Sequence, residues 1–372
     1  MGATDAGESR GAGIGLALSG GGYRATLFHL GSLRRLAELG VLDHVSHVSS
    51  VSGGAITAGV LASDWIAHPA SPGADRVQRV TAVLQEFCSH TIDTGTIIGG
   101  ALTPFRRVSD LLADKYDASL FHGRSLAQLP AAGPQFTFCS TNLQTGRLVH
   151  LTRGKVVDYR IGASTLDLPL ARAVAASSAF PPFLSPVEVD CSAATWTPTH
   201  YSTLTADSHY CRRLYLTDGG AYDNLGLEPI WKDSGVVLVS DAGAPYVSQP
   251  SISTEWFTQL HAVFEIATDQ ARGVRKRWLI DQFQRQVAQG TYWGIATDIA
   301  DYGLPDPLPV APATAAALAA MRTRLNAFSA EEQAHLINWG YAVCDAAMRR
   351  WCATLCPTPT PATLPFPAYP LQ

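Results

Sequence analysis

Apolar and polar positions along this chain alternate between two periods, and the switches between them lay out a succession of strands, turns and helices. Residues 14–19 form a short apolar run stopped by Gly20-Gly21-Gly22. From 25 to 39 the side chains of Phe28, Leu30, Leu33, Leu36 and Ala37 recur at helical spacing, and Gly40 stands where a left-handed C-cap belongs. A second strand-like run, 45–51, enters the turn Ser52-Gly53-Gly54, and a helical stretch over 55–65 follows, closed by His68-Pro69. Two strand-turn-helix units in close succession predict an α/β fold with a mainly parallel sheet.

Further along, the spacing predicts helices over 75–90 and 106–120, joined by an uncharged stretch, 95–105, that carries Gly95, Gly99, Gly100, Ile97, Ile98, Leu102 and Phe105. That stretch has two readings, core packing or a lid that enters a bilayer interface. Strands are expected over 135–141, 147–152, 213–217 and 236–240, with a helix over 169–176 that ends at Phe180-Pro181-Pro182. A long helical region, 254–289, holds Arg272, Arg275, Lys276, Arg277 and Arg285, a charge run that reads as a solvated face. Helices over 311–327 and 330–352 complete the pattern. Six of the 23 prolines fall in the last sixteen residues, which predicts an extended tail. The expected organisation is a flexible leader (1–13), a single domain (14–356) with a helical insert at about 75–125, and a Pro-rich tail (357–372).

Composition narrows the classes of function. Of 372 residues 47% are hydrophobic and 16% charged, which is globular and rules out wholesale disorder. Lys and Arg number 27 against 31 Asp and Glu, a net charge of −4, so no basic footprint for nucleic acid exists. Seven cysteines are odd in number and dilute, which suits a reducing compartment. Cys352-x3-Cys356 has no second ligand pair, so it reads as packed thiols, and neither a metal nor a cofactor is expected. No apolar run is long enough to span a membrane, and residues 1–13 carry no signal-peptide core. A cytoplasmic protein, with peripheral membrane contact allowed, is the expectation. Gly2 would invite myristoylation, but position 6 is Ala rather than Ser or Thr.

The chemistry concentrates at the turns. Ser50-Val51-Ser52-Gly53-Gly54 sets a serine at the bend between a strand and a helix, the nucleophile-elbow arrangement, in which small neighbours let the two elements approach closely. Gly20-Gly21-Gly22-Tyr23-Arg24 is another strand-to-helix turn, whose unpaired N–H groups at a helix N-terminus suit an oxyanion. Arg24 has two candidate roles there, anchoring the loop or meeting a substrate phosphate. Gly20-x-Gly22-x-x-Ala25 also fits a dinucleotide fingerprint, but the second strand ends in Ser49-Ser50-Val51 with no acidic residue for a ribose. For a base, Asp218 in Thr217-Asp218-Gly219-Gly220 and Asp241 in Ser240-Asp241-Ala242-Gly243 compete. Downstream histidines, His261 and His335, lie inside helical patterns, which favours a Ser/Asp dyad over a triad.

Together these residues resemble the patatin-like phospholipases and lipid acyl hydrolases. Gly20-Gly21-Gly22-x-Arg24 matches that family's oxyanion loop, Ser50-x-Ser52-x-Gly54 its nucleophile motif and Asp218-Gly219-Gly220 its aspartate motif, in the family's order. The run from Ala173 to Pro182, and Asn224, match as well, so the resemblance covers roughly residues 14–245. Ser50 stands where the family has glycine. The resemblance implies a three-layer α/β/α fold, a Ser52/Asp218 dyad, no metal requirement, and membrane phospholipid or another fatty-acyl ester as substrate. Two alternatives are an α/β-hydrolase esterase, whose nucleophile usually follows a later strand, and a non-catalytic lipid-binding module.

Overall fold

The computed structural model describes residues 11–92, 107–182, 184–243, 245–357 and 360–372. The stretch 95–105, with both of its readings, and most of the expected leader lie outside the described residues. Strands β1 (Ile14–Leu18), β2 (Val45–Ser50) and β3 (Gln135–Asn142) run parallel. On their far side, beyond β1, β4 (Arg147–Thr152), β5 (Lys155–Asp158), β6 (Gly162–Ser164) and β8 (Trp196–Thr197) have no place: they extend the sheet antiparallel beyond β3, and β7 (Val187–Asp190) pairs with β9 (Arg213–Asp218). Beside β1, β10 (Val236–Asp241) and β11 (Gln289–Gly294) complete a five-stranded parallel centre in the order β11-β10-β1-β2-β3.

The two faces of this sheet follow from the two-residue period of its strands. Leu16 and Leu18 of β1 and Leu238 of β10 enter one core, while Ala17, Val237 and Val239 enter the other. Helices α1 (Gly22–Glu38), α2 (Gly53–Ala67), α3 (Gly73–Cys88), α4 (Val108–Tyr116) and α5 (Leu170–Ser178) contribute to the larger core. The second face is covered by α6 (Trp256–Gln284) through Leu279, with Leu225, Leu227 and Ile230 beside it. Two later helices, α7 (Pro312–Ala319) and α8 (Ala330–Trp351), return to the first side. The result is the expected α/β fold with helices on both faces of a sheet whose centre is parallel.

Three expectations change. The helix foreseen over 311–327 stops at Ala319, because the guanidinium of Arg24 takes the carbonyls of Ala319 and Met321 and draws the segment onto the start of α1. The helix foreseen to 289 stops at Gln284, and residues 289–294 instead join β10 as the parallel strand β11. The charge run of α6 is a solvated face only in part: Arg277 and Arg285 are exposed, whereas its other three cations turn inward. Arg272 reaches Asp241 and Asp269, Arg275 faces Asp223, and Lys276 lies 4.7 Å from the centre of the Tyr292 ring. Asp223 and Asp241 are buried carboxylates, and such groups need cations or hydrogen-bond donors to offset lost hydration.

Residues of the Pro-rich tail lie along α8: Asn338 Nδ2 donates to the carbonyls of Phe366 and Tyr369, and Leu371 is fully buried. Helix α8 in turn crosses α1 at van der Waals contact. A Cβ on Gly31 would stand 1.9 Å from the Ile337 carbonyl oxygen, and one on Gly340 would stand 1.9 Å from that of Phe28. Arg35 and Asp345 form a buried ion pair across the same crossing, at 2.8 Å. Gly340→Ala must therefore push backbone against backbone. It is expected to lower stability by about 1–3 kcal/mol in denaturant titration. Gly273→Ala on α6, whose Cβ would meet only the tip of Arg277, is expected to be neutral or stabilising by up to about 1 kcal/mol.

Candidate active site

Strand β2 ends at Ser50, and the chain reverses within three residues to begin α2 at Gly53. Ser52, at the bend, has φ 53 and ψ −119, a strained backbone for a residue with a side chain. The turn is possible because its neighbours are bare: a Cβ on Gly53 would stand 2.0 Å from the Gly22 carbonyl oxygen, and one on Gly54 would stand 2.3 Å from that of Leu18. Ser50 replaces glycine here without conflict. It is in extended backbone, fully buried, and its hydroxyl donates to the Thr137 carbonyl at 3.2 Å.

Asp218 reaches the same place from the other direction. Along one edge of β3, β2 pairs as far as Ser50↔Phe138, and antiparallel β9 takes over with Ser140↔Asp218. The last residue of β9 thus faces the end of β2. Ser177, at the end of α5, fastens the two turns: its carbonyl accepts N–H bonds from Ser52 and from Gly219, each at 3.2 Å, and its Oγ lies 3.1 Å from Ser52 N. Asp218 N donates to the Ala179 carbonyl at 3.1 Å.

Asp218 is 3% exposed. Its Oδ1 accepts from Gly220 N–H at 2.7 Å, whereas Oδ2 is buried and has no hydrogen-bond partner. Burial pushes the carboxyl pKa up to about 6, against the opposing pull of the Gly220 N–H and of the Ser52 hydroxyl. The competing aspartate, Asp241, is committed elsewhere. It accepts from Gly243 N–H, Tyr292 Oη and Arg272 Nη1 at 2.8, 2.7 and 3.1 Å.

The glycine loop lies beside Ser52 at the end of β1. A Cβ on Gly20 would stand 3.1 Å from Ser52 Cβ and 2.3 Å from Asn224 Oδ1. Gly21 and Gly22 have φ of 143 and 56, which only glycine adopts freely. The expectation that all three amides serve an oxyanion needs correction at Gly20, whose N–H donates to the Asn224 carbonyl at 3.0 Å. Gly22 is the first residue of α1, so its N–H has no intrahelical acceptor. Of the two roles open to Arg24, the geometry matches anchoring. Its guanidinium is 1% exposed and donates to the carbonyls of Ala242, Ala319 and Met321 at 2.7, 2.9 and 2.7 Å. Burial brings its pKa down to about 10, so it stays charged at neutral pH.

Among the described residues no histidine hydrogen-bonds Ser52 or Asp218. His261 pairs with Glu265 on α6, and His335 stacks edge-on against Tyr369. His29 lies beneath the loop with its ring nitrogens on the Ser19 carbonyl and Ser240 Oγ, and burial lowers its pKa to about 4. Cys352 and Cys356 are thiols at the end of α8. Sequence reasoning gave Ser177 and Asn224 no role of their own. The available signal was polarity in the wrong place, a Ser177-Ser178 pair closing an alanine-rich buried helix.

Among curated proteins none matches this chain in sequence. The family model for patatin-like phospholipase matches residues 16–231. Among solved structures, human GIVD cytosolic phospholipase A2 in complex with methyl gamma-linolenyl fluorophosphonate is similar at 14% identity and a TM-score of 0.52, over 92% of this chain and 58% of that one. VipD from Legionella pneumophila matches at 13% identity and a TM-score of 0.39, over 90% of this chain and 66% of that one. The chain spans about half the length of the phospholipase A2 chains it matches. Among the described residues no helix is long and apolar enough to cross a membrane. With the family model covering more than half of its length, this chain belongs to the patatin-like phospholipase family.

Proposed function

We propose that the protein is a serine lipid acyl hydrolase of phospholipase A or lysophospholipase type, working through Ser52 and Asp218. The observation that carries this reading is the pairing of a strained, half-exposed serine with a buried carboxylate whose free oxygen has no other partner. Asp218 Oδ2 takes the Ser52 proton as Oγ attacks the ester carbonyl. The N–H groups of Gly21 and Gly22 receive the charge that develops on the carbonyl oxygen, with the start of α1 adding its dipole. Collapse expels the alcohol, which leaves with the proton held by Asp218. Water then attacks the acyl-enzyme while Asp218 again accepts a proton, and the fatty acid and free serine are released.

Burial of Asp218 supports the base role. A carboxylate near pKa 6 is a stronger base than an exposed aspartate, yet it is ionised at neutral pH. Arg24 acts in this reading as the anchor of the loop, since it is buried and its two Nη groups are committed to three backbone carbonyls. Peripheral contact with a lipid surface follows from the substrate class.

Reaction with a fluorophosphonate probe tests the nucleophile directly. Ser52→Ala is expected to abolish labelling and turnover, and Asp218→Asn to reduce turnover at least about 10²-fold, while Asp241→Asn keeps both and lowers the melting temperature. Labelling of Ser52→Ala at the same stoichiometry would remove Ser52 from the mechanism.

The pH dependence has a fixed sign. Turnover requires ionised Asp218, so kcat/KM is expected to fall as pH drops through about 6, with the slope of a single proton. Stability runs the other way. A carboxyl whose pKa is higher folded than unfolded destabilises the fold above that pKa and ceases to do so as pH falls toward 3.8. Asp218→Asn is therefore expected to raise stability at pH 7–8 by on the order of 1–3 kcal/mol and to lose this gain near pH 4, as read by thermal melts.

Arg24→Ala is expected to lower kcat on phospholipids and on uncharged short-chain esters by the same factor, because a loop anchor acts on the oxyanion and not on the headgroup. A loss confined to phospholipids would restore the phosphate role.

A further inference from the structure

A cavity of about 350 Å³ opens at the carboxyl ends of β10 and β11, lined by Ile295, Ile299, Val310, Ala316, Ala319 and Trp339 among others. Its size is in the range of small-molecule sites. The Trp339 indole N–H is used on the Ile295 carbonyl at 2.8 Å, so the ring presents carbon to the space. Asp298 at the rim accepts the Ala300 N–H at 3.0 Å, as the cap of its own turn. The alanines of α7 leave room that larger side chains would occupy.

Both walls of the cavity converge on the glycine loop. On one side Ala319 lines the space while its carbonyl accepts from Arg24, and four residues on, the Thr323 carbonyl oxygen presses on Gly22, where a Cβ would stand 1.5 Å away. On the other side Pro245 lines the space, and Ala242 just before it accepts from Arg24 and abuts Gly21. The cavity and Ser52 also share one edge of the sheet, the carboxyl ends of its parallel strands, where ligands of α/β folds gather.

We propose that this cavity is the acyl-chain subsite, holding the hydrocarbon tail of an ester whose carbonyl lies at Ser52; the assignment rests on the hydrolase reading above. Strands β2 and β11 are three positions apart in the sheet, a span of roughly 14 Å at the usual strand spacing. An extended chain of single bonds advances about 1.2 Å per bond. An acyl chain of about twelve carbons is therefore long enough to span the distance between Ser52 and the cavity, whereas a butyryl chain is too short for it. Each methylene taken out of water on the way contributes roughly fourfold in binding.

Ala316 is an exposed residue of α7 that lines the cavity, so a large or charged side chain there obstructs the space without entering the core. Ala316→Trp and Ala316→Asp are expected to lower kcat/KM for p-nitrophenyl dodecanoate at least about tenfold and to leave p-nitrophenyl butyrate nearly unchanged. In a Ser52→Ala background, fluorescence titration with dansyl-undecanoate is expected to show binding, weakened at least about tenfold by either Ala316 substitution. An unchanged ratio of dodecanoate to butyrate turnover in both variants would overturn the subsite. So would probe binding that neither variant alters, or no probe binding at all. Failure of the hydrolase reading gives a different result: no butyrate turnover and no Ser52-dependent labelling in the unmodified protein, with the probe titration then deciding alone whether the cavity takes a hydrocarbon chain.

Discussion

One edge of β3 is shared between two strands, and the positions of Ser52 and Asp218 follow from that division. β2 occupies the first half in parallel, and β9 arrives antiparallel to fill the second. Their ends point at each other because a parallel neighbour runs outward along β3 while an antiparallel one runs back. Each must turn where the other ends. The backbone groups released at this junction are taken up by Ser177, which accepts from both turns. A buried polar backbone at such a junction is costly unless paired, so the end of α5 is as much a part of the site as the two strands.

The strain at Ser52 and the bare loop at Gly20 to Gly22 are held by contacts from far along the chain. Arg24 is buried on three carbonyls, and those belong to the end of β10 and to the segment that closes α7. All three acceptors lie beyond residue 231, where the family match ends. The C-terminal third of the chain therefore sets the geometry of a loop near its beginning. The alternative to these bonds is an unpaired buried guanidinium, whose desolvation cost far exceeds that of losing a surface contact. The same economy explains the inward cations of α6, which answer Asp223 and Asp241.

The α/β class, the parallel centre and the main helices were legible because each rests on local periodicity. So were the serine elbow and the glycine loop, since small residues between a strand and a helix leave few conformations open. The short strands β5 to β8 were not legible. They run only two to four residues, too short for an alternation to register, and they form where an edge is offered, β5, β6 and β8 in succession from β4, and β7 on β9. Residues 289–294 contain Gly290, Thr291, Tyr292 and Trp293, which suit a strand, but they directly follow a long helix, and only pairing with β10 settles their conformation.

By itself the sequence determined which residue types stand at which turns: a serine followed by two glycines, a glycine run with an arginine just after it, and two aspartates each closing a strand. It left the two aspartates equivalent until a family resemblance separated them. Tertiary structure brought the end of β9, with Asp218, to the end of β2, paired Asp241 with the Arg272 guanidinium and the Tyr292 hydroxyl, spent the Gly20 amide on the Asn224 carbonyl, and buried the Arg24 guanidinium against three backbone carbonyls. Each of those outcomes is a contact between residues distant in the chain. Their free energy depends on burial and on available partners, neither of which leaves a periodic mark in the sequence.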